Sequence, residues 1–473
     1  MKYVVPADQY RRLHHIRPRF KNDVDGVILF VSCEISKLPK MPHVDFKESL
    51  NKVIKHYPGN SRVKEKTINN WRTEISSLFG LIESDAKDSW PSRMALMLDQ
   101  KQDLISFFRY FLYYFQYPGG HLKPKETLSL LKEGINFKPA QHIINVLIEG
   151  GRLADNAASF GISKEEATHC IFNDLRSTKG SRSPKDTAEL IIKNRNEGVT
   201  YDSSGDIIRY AGDILDYMVL ADLLDEKANA KFYLKKINTE ILLAYAKSAN
   251  SFKPYQKMMG VASITIQDVV ETQIAWFNYV NNELKSEIFE TNILDLISSD
   301  SEPTKSLKGG HLQEVLKKLS SLVDTDKKPT RDIGNAGEAI TIEHETRRLT
   351  NLGRTDVLHL IKKIPESFAI GYDIGSYEGV GALRRFIEVK TTISRRKVVT
   401  SSFHMTPSEW SSAETSGDKY FIYRLIINAG QIDMFIIRDP VRKYKDGIVK
   451  MVPRDGADIV YDENAGQWEK VLI

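Results

Sequence analysis

Between Asp45 and Gly80 apolar positions recur every three or four residues. In "DFKESLNKVIKHY" they are Phe46, Leu50, Val53 and Ile54, on one side of a helix that "PGNS" then breaks. "VKEKTINNWRTEISSLFGLIE" repeats the pattern with Ile68, Trp71, Ile75, Leu78 and Phe79, with Thr67 placed to cap the helix and Gly80 to end it. Helix, tight break and helix is the sequence form of a helix-turn-helix, whose second helix enters the major groove of DNA. Its outward residues here are Asn69, Asn70, Arg72 and Thr73, types that reach base edges and phosphates. The competing reading is the solvent face of an all-helical bundle.

The rest of the first 300 residues follows the same rhythm. Upstream, "VDGVILFVSCEI" reads as a strand. "LISFFRYFLYYFQY" is interrupted by Arg109 and Gln116 and is too short and polar to span a bilayer, so it reads as a buried helix. A helix is expected around Pro139 to Glu149, and another starts at Ser163, where Glu166 completes a capping box. The basic loop "STKGSRSPK" offers Lys179, Arg182 and Lys185 to phosphates, or is a plain solvated connection. A helix from Asp206 to Leu224 leads into "NAKFYLKK", a candidate wing. The expectation is a mainly helical recognition region over 1–300, with winged-helix or helix-turn-helix modules near 45–115, 125–200 and 205–295. The Ser-, Lys-, Asp-, Pro- and Gly-rich stretch 301–330 reads as a linker.

From 331 to 473 the period changes. The helix "NAGEAITIEHETRRLTNLG" precedes the strands "AIGYDIGS", "RRFIEVKTT", "KVVTSSFHMT", "KYFIYRLII" and "QIDMFIIRD", with a helix at "TPSEWSSAETSG" between them. This is an α/β domain with a central mixed sheet. Composition narrows the setting only slightly. A net charge of +5 permits a polyanionic partner without demanding one. Two distant cysteines, Cys33 and Cys170, cannot build a disulfide framework or a cysteine-rich zinc site. A cytoplasmic location with no membrane partner is the expectation.

The chemistry concentrates in the α/β part. In "RRFIEVKTT" Glu388 and Lys390 share one face of a strand while Ile387 and Val389 share the other. Asp373 ends the preceding strand, and Glu338 lies on the helix before it, in "GNAGEA", where small residues allow close approach to a sheet. Two carboxylates at a sheet end are hard oxygen donors suited to Mg²⁺. A lysine beside them can orient water or offset developing charge. The competing reading of Glu388 and Lys390 is a surface salt bridge, worth little. "SRRK" follows the strand, so Arg395, Arg396 and Lys397 are candidates to grip a DNA backbone. Trp410, His344 and His404 read as structural, and Tyr423 as a core-strand residue that would face the site.

Asp, then Glu-x-Lys on a strand, after a helix carrying Glu, resembles the PD-(D/E)xK nuclease superfamily, the restriction-endonuclease-like fold. The longer string "GYDIGS…RRFIEVKTT…FHMTPSEWSSAE…YFIYRL" is similar to the C-terminal domain named after the protein NO VEIN. The resemblance covers about residues 334–440. It implies metal ligation by Asp373 and Glu388, catalysis by Lys390 and an accessory acid in Glu338. Tyr372 stands where the superfamily pattern has proline. The implied function is a Mg²⁺-dependent type II, type IIS-like, restriction endonuclease acting on double-stranded DNA. One site cuts one strand, so a double-strand break implies a homodimer, at least transiently, or a nicking partner. The alternatives are a modification-dependent DNA endonuclease and a non-catalytic DNA-binding regulator.

Overall fold

The computed structural model describes the chain except residues 16–19, 21–22, 58–59, 61–62, 155–159, 236–238, 282–288, 292–295, 297–332, 366–369, 401, 430 and 454–455. The linker expected over 301–330 lies outside the described residues. The chain divides into two compact units, one of Met1–Leu98 with Leu104–Phe289 and one of Asp99–Asp103 with Glu290–Ile473.

The first unit is mainly helical and contains the same strand arrangement twice. Helix α1 (Val24–Ile35) leads to β1 (Met41–Pro42), α2 (His43–His56), α3 (Glu65–Thr73), β2 (Ile82–Ser84) and β3 (Asp88–Pro91), with the strands ordered β1-β3-β2. The stretch expected to be a strand is therefore α1. Its buried Val24, Val27, Ile28, Val31 and Ile35 keep a helical spacing, and burial on that face overrides the β preference of valine and isoleucine. The α3 helix begins at Glu65 and has Lys64 at its N-cap, so Thr67 lies inside it rather than capping it.

Helix α4 (Leu104–Tyr114) is the apolar segment that is too short for a membrane. It is buried, and its Phe111 packs edge-on against Tyr217, with ring centroids 5.6 Å apart. Arg109 can be only 1% exposed because its Nε donates to the Ala221 carbonyl at 2.9 Å and its guanidinium lies 3.7 Å from Asp222. Among the described residues no helix is long and apolar enough to cross a membrane.

The second arrangement comprises α5 (Pro139–Leu153), β4 (Ile162–Ser163), α6 (Lys164–Ala167), α7 (Pro184–Asn196), α8 (Gly205–Leu220), β5 (Leu224–Glu226) and β6 (Lys231–Leu234), with strand order β4-β6-β5. Ser163 caps α6 in a capping box with Glu166, as its sequence implies. The strand pairing crosses the module boundary expected between 200 and 205, because Ile162 is in register with Phe232. Long-range pairing of two short strands leaves no mark on local periodicity.

Buried histidines give this unit a pH dependence. His121 is 2% exposed, and burial holds its imidazole well below the ordinary histidine range, with His15 adding to the effect. Burial likewise lowers His142 to about 4. A folded-state pKa below the unfolded value means that the unfolded chain binds protons first, so stability falls as pH drops through about 6.5. At pH 5.5 the unfolded chain protonates His121 while the folded chain holds it neutral, so stability is expected to be lower than at neutral pH. Urea midpoints at pH 7.5 and 5.5 check this, and His121→Gln should shrink the difference between them.

The second unit is built on a six-stranded mixed sheet ordered β15-β12-β11-β9-β8-β7. Helix α9 (Ile333–Asn351) precedes β7 (Lys362–Lys363), β8 (Ile374–Tyr377) and β9 (Arg384–Ile393). Then come β10 (Ser402–Met405), α10 (Pro407–Ser416), β11 (Tyr420–Asn428) and β12 (Gln431–Arg438). The chain ends with β13 (Lys450–Pro453), β14 (Ala457–Val460) and β15 (Gln467–Lys470). Strands β9 and β11 are parallel neighbours, joined through β10 and α10, while β10, β14 and β13 form a separate three-stranded sheet.

Helix α9 covers the face of β9 that carries Val389 and Thr391. A Cβ added at Gly337 would lie 2.1 Å from Thr391 Oγ1, so only glycine permits this approach. On the same face Glu345 is fully buried. It accepts from Arg348 Nε at 2.8 Å, from the Ser376 hydroxyl at 2.6 Å and from the Tyr423 hydroxyl at 2.7 Å.

Candidate active site

The other face of β9 carries Glu388 and Lys390. Ile374 of β8 pairs with Ile387 of β9, so one step along this antiparallel register sets Asp373 across from Glu388. Asp373 also replaces a ladder acceptor, since its Oδ2 accepts from the Val389 N–H at 2.8 Å. Three separated sequence positions are thus brought together by strand pairing. Lys390 Nζ lies 2.8 Å from Glu388 Oε1 and 2.7 Å from Glu409 Oε2.

Glu409 was not singled out by its sequence as a site residue. It sits on the first turn of α10, where Thr406 and Glu409 form a capping box that fixes the carboxylate. The available signal was the cap "TPSE" itself, a helix start following a strand, but a capping glutamate gives no sign of which residue across the sheet it meets.

Electrostatics reflect three acids around one amine. Burial raises Asp373, against the Val389 N–H and Lys390, which lower it. Burial raises Glu388 well above the ordinary carboxylate range, with Lys390 opposing and Asp373 and Glu409 adding to the rise. For Lys390, burial works downward, but Glu388 and Glu409 outweigh it and leave the amine raised and cationic. Burial raises Tyr420, as do Glu388, Glu409 and Asp373, and its hydroxyl donates to the Gly371 carbonyl at 2.8 Å. Gly371 has φ +80°, and a Cβ there would lie 2.3 Å from the Ser408 carbonyl oxygen, so the loop before Asp373 is pressed against the start of α10.

Farther along the same face Arg424 is fully buried. Its guanidinium donates to the Lys390 carbonyl at 3.0 Å and also to Thr392 Oγ1 and Gln102 Oε1, Gln102 belonging to the Asp99–Asp103 segment of this unit. Among the described residues no group of three or more histidine, cysteine, aspartate or glutamate side chains is arranged to hold a metal ion.

Other sequence-derived candidates divide. Glu338 is 8% exposed and pairs with Lys363 at 2.6 Å, on the helix that covers the opposite face of β9. Tyr423 points to that opposite face as well, because it is registered with Val389 and bonded to Glu345. The expectation that it faces the acid cluster is corrected by one step of strand alternation. Arg396 and Lys397 are exposed and Arg395 is partly buried, and Lys397 Nζ stands 3.9 Å from Asp433.

In the first unit, Asn69 and Asn70 are partly exposed and Thr73 is exposed, whereas Arg72 is tied to Asn51 and Asn69 at 3.0 Å each. Lys179 and Lys185 are exposed, but Arg182 is a strut. It pairs with fully buried Asp174 at 3.0 Å and donates to Ser177 Oγ at 2.8 Å and to the Cys170 carbonyl. Its place in a Gly- and Ser-rich stretch concealed the carboxylate it serves. His344, as expected, is structural: it is fully buried and accepts from the Leu472 N–H at 3.2 Å.

Comparison with known proteins separates the two units. Residues 3–277 match the family described as restriction endonuclease BpuJI, N terminal. The chain belongs to this restriction endonuclease family. Residues 337–437 match the family described as protein NO VEIN, C-terminal, a span that includes Glu338, Asp373, Glu388, Lys390 and Glu409. A solved structure of the BpuJ1 endonuclease binding domain, in complex with pyrene- and phenanthrene-modified DNA, is similar to 59% of this chain. All of that domain is covered, with 21% identity and a TM-score of 0.50, which establishes a shared fold. No curated protein matches. The acid cluster lies in the second unit, and the BpuJI-type region lies in the first apart from its Asp99–Asp103 segment.

Proposed function

We propose that the protein is a divalent-cation-dependent DNA endonuclease of restriction type, in which the first unit recognises duplex DNA and the second cuts it. The observation that carries this reading is the convergence of Asp373, Glu388 and Lys390 on one sheet face of a chain whose other unit belongs to a restriction endonuclease family. The NO VEIN-type match over the same residues supports a PD-(D/E)xK assignment for this site.

The donor set fits a hard cation. Asp373 and Glu388 offer carboxylate oxygens from opposed positions, and the upward shift of both is what two buried anions show when positive charge beside them is insufficient. These two residues would hold Mg²⁺. When bound, the ion supplies Lewis-acid polarisation of a phosphoryl oxygen and lowers the pKa of a water. The side chains of the chain itself supply the rest. The Lys390 ammonium offsets charge on the phosphoryl oxygens and orients the attacking water. The buried Arg424 guanidinium holds the Lys390 carbonyl and so fixes the strand that presents both Glu388 and Lys390. Asp373, bonded to the Val389 N–H, keeps its carboxylate aimed across the strand pair.

Recognition is assigned to the two arrangements of helix, short strand, helices and hairpin in the first unit. In each, the short strand pairs with the second hairpin strand, which supports reading them as winged-helix modules. On α3 the residues offered to base edges are Asn69, Asn70 and Thr73, while Lys179 and Lys185 are offered to phosphates. A single acid cluster cuts one strand, so the double-strand break requires a second copy of the chain. Incubating plasmid DNA with the full chain and Mg²⁺ tests the reading, and run-off sequencing of the products gives site and offset. A protein that binds duplex DNA and leaves it intact at every Mg²⁺ concentration would refute the cleavage role.

A further inference from the structure

Lys390 has two partners of opposite role. Glu388 is a proposed cation ligand, and a cation drawn to its Oε1 competes with the amine, which lies 2.8 Å from that atom. Glu409 meets the same amine at 2.7 Å from a different element. Three features make Glu409 a fixed anchor rather than an incidental contact. Its Oε2 accepts from the Thr406 N–H at 3.2 Å, so the cap of α10 holds it. It lies in the first turn of a ten-residue helix, where the helix dipole favours negative charge. The start of that helix is pressed against Gly371 in the loop leading to Asp373, so helix and acid loop are in direct contact. The Lys390 side chain is 19% exposed and that of Glu409 is 14% exposed, so bulk water screens the pair poorly.

Resting on the cleavage reading above, we propose that Glu409 is a positioning residue that retains the Lys390 amine when a divalent cation takes over Glu388. Cation uptake and amine repositioning are then one exchange. Glu388 releases the ammonium, and Glu409 keeps it beside the reacting phosphate instead of letting it swing to solvent. Without Glu409 the amine has Glu388 as its remaining carboxylate partner of the two, and a cation must break that ion pair outright.

The test uses the full chain and Ca²⁺ alone, with binding measured by calorimetry in the absence of DNA. Glu409→Gln keeps a cap acceptor and removes the charge. It is expected to weaken Ca²⁺ binding by about tenfold, within the range of coupling between contacting groups. Lys390→Ala removes the competing amine and should tighten binding. In the Lys390→Ala background, Glu409→Gln should change affinity by no more than about threefold, because its effect runs through the amine. Thermal melts of each variant establish folding. If Glu409→Gln does not fold, Glu409→Asp, which keeps the charge but falls a methylene short of the amine, enters the same cycle.

Undiminished Ca²⁺ affinity in Glu409→Gln overturns the proposal. So does an equal loss with and without Lys390, which would make Glu409 a direct ligand. Plasmid cutting by the wild-type chain is read separately. If DNA is cut but the cycle shows no coupling, the exchange alone is wrong, whereas uncut DNA and no Ca²⁺ uptake remove both.

Discussion

Replacing Asp373 by asparagine is expected to abolish plasmid cutting, by about three orders of magnitude or more, while duplex binding by the same protein is unchanged. The size follows from what one preorganised charged group contributes in a water-poor site, where removing a single stabilising donor already costs about a hundred- to a thousandfold. Asparagine suits the test because its Oδ1 still accepts from the Val389 N–H, so the local ladder survives and only the charge is lost. Glu388→Gln and Lys390→Met are expected to behave alike, since each removes one member of a cluster that acts as a unit. Binding is measured by gel shift on a duplex carrying the recognised site, and cutting by conversion of supercoiled plasmid to nicked and linear forms. Nicked circles should precede linear product, because one site breaks one strand. Wild-type cutting rates in Asp373→Asn would mean that the chemistry lies elsewhere in the chain.

A comparably large effect, on stability rather than activity, is expected at Glu345. Its carboxylate is fully buried and bonded to Arg348, Ser376 and Tyr423, with Arg385 3.7 Å away. Burial works to raise its pKa, but Arg348, Arg385 and Ser376 outweigh burial and leave it lowered. Glu345→Ala takes the carboxylate partner from the largely buried Arg348 guanidinium and an acceptor from the Tyr423 hydroxyl, while Arg385 keeps Glu378 at 2.8 Å. Breaking a buried pair in this way costs about 3–5 kcal/mol. Hydrogen exchange of the β9 and β11 amides measures this in the second unit without contribution from the first. The sign with pH is fixed by the lowered folded-state pKa. The stabilisation is complete above the unfolded glutamate pKa near 4.3 and is lost as pH falls through the folded value. A loss below about 1 kcal/mol would show that water enters the network and solvates the arginines.

These two predictions concern opposite faces of one strand, and that is where local reading succeeded and where it stopped. Alternation along "RRFIEVKTT" was enough to place Glu388 with Lys390 and apart from Val389, because a pleated strand has a period of two whatever surrounds it. The close approach of α9 at Gly337, the buried character of α4 and the capping box at Ser163 were legible for the same reason. Each rests on one residue type or a spacing of a few positions. The segment "VDGVILFVSCEI" is a helix although its β-branched residues favour strands in isolation, because burial on a helical face decides in the fold.

What the chain's own order of residues determined is the apolar faces of most elements and the presence of Asp and Glu-x-Lys in one α/β region. Tertiary structure alone decided the partners. Strand register set Asp373 across from Glu388, a parallel crossover brought Glu409 of α10 to Lys390, one step of alternation sent Tyr423 to Glu345, and buried Asp174 claimed Arg182. The physical reason is range. Periodicity and capping act over a few residues, whereas a charge in a low-dielectric interior is governed by whichever opposite charge the fold brings within about 4 Å, however distant in sequence.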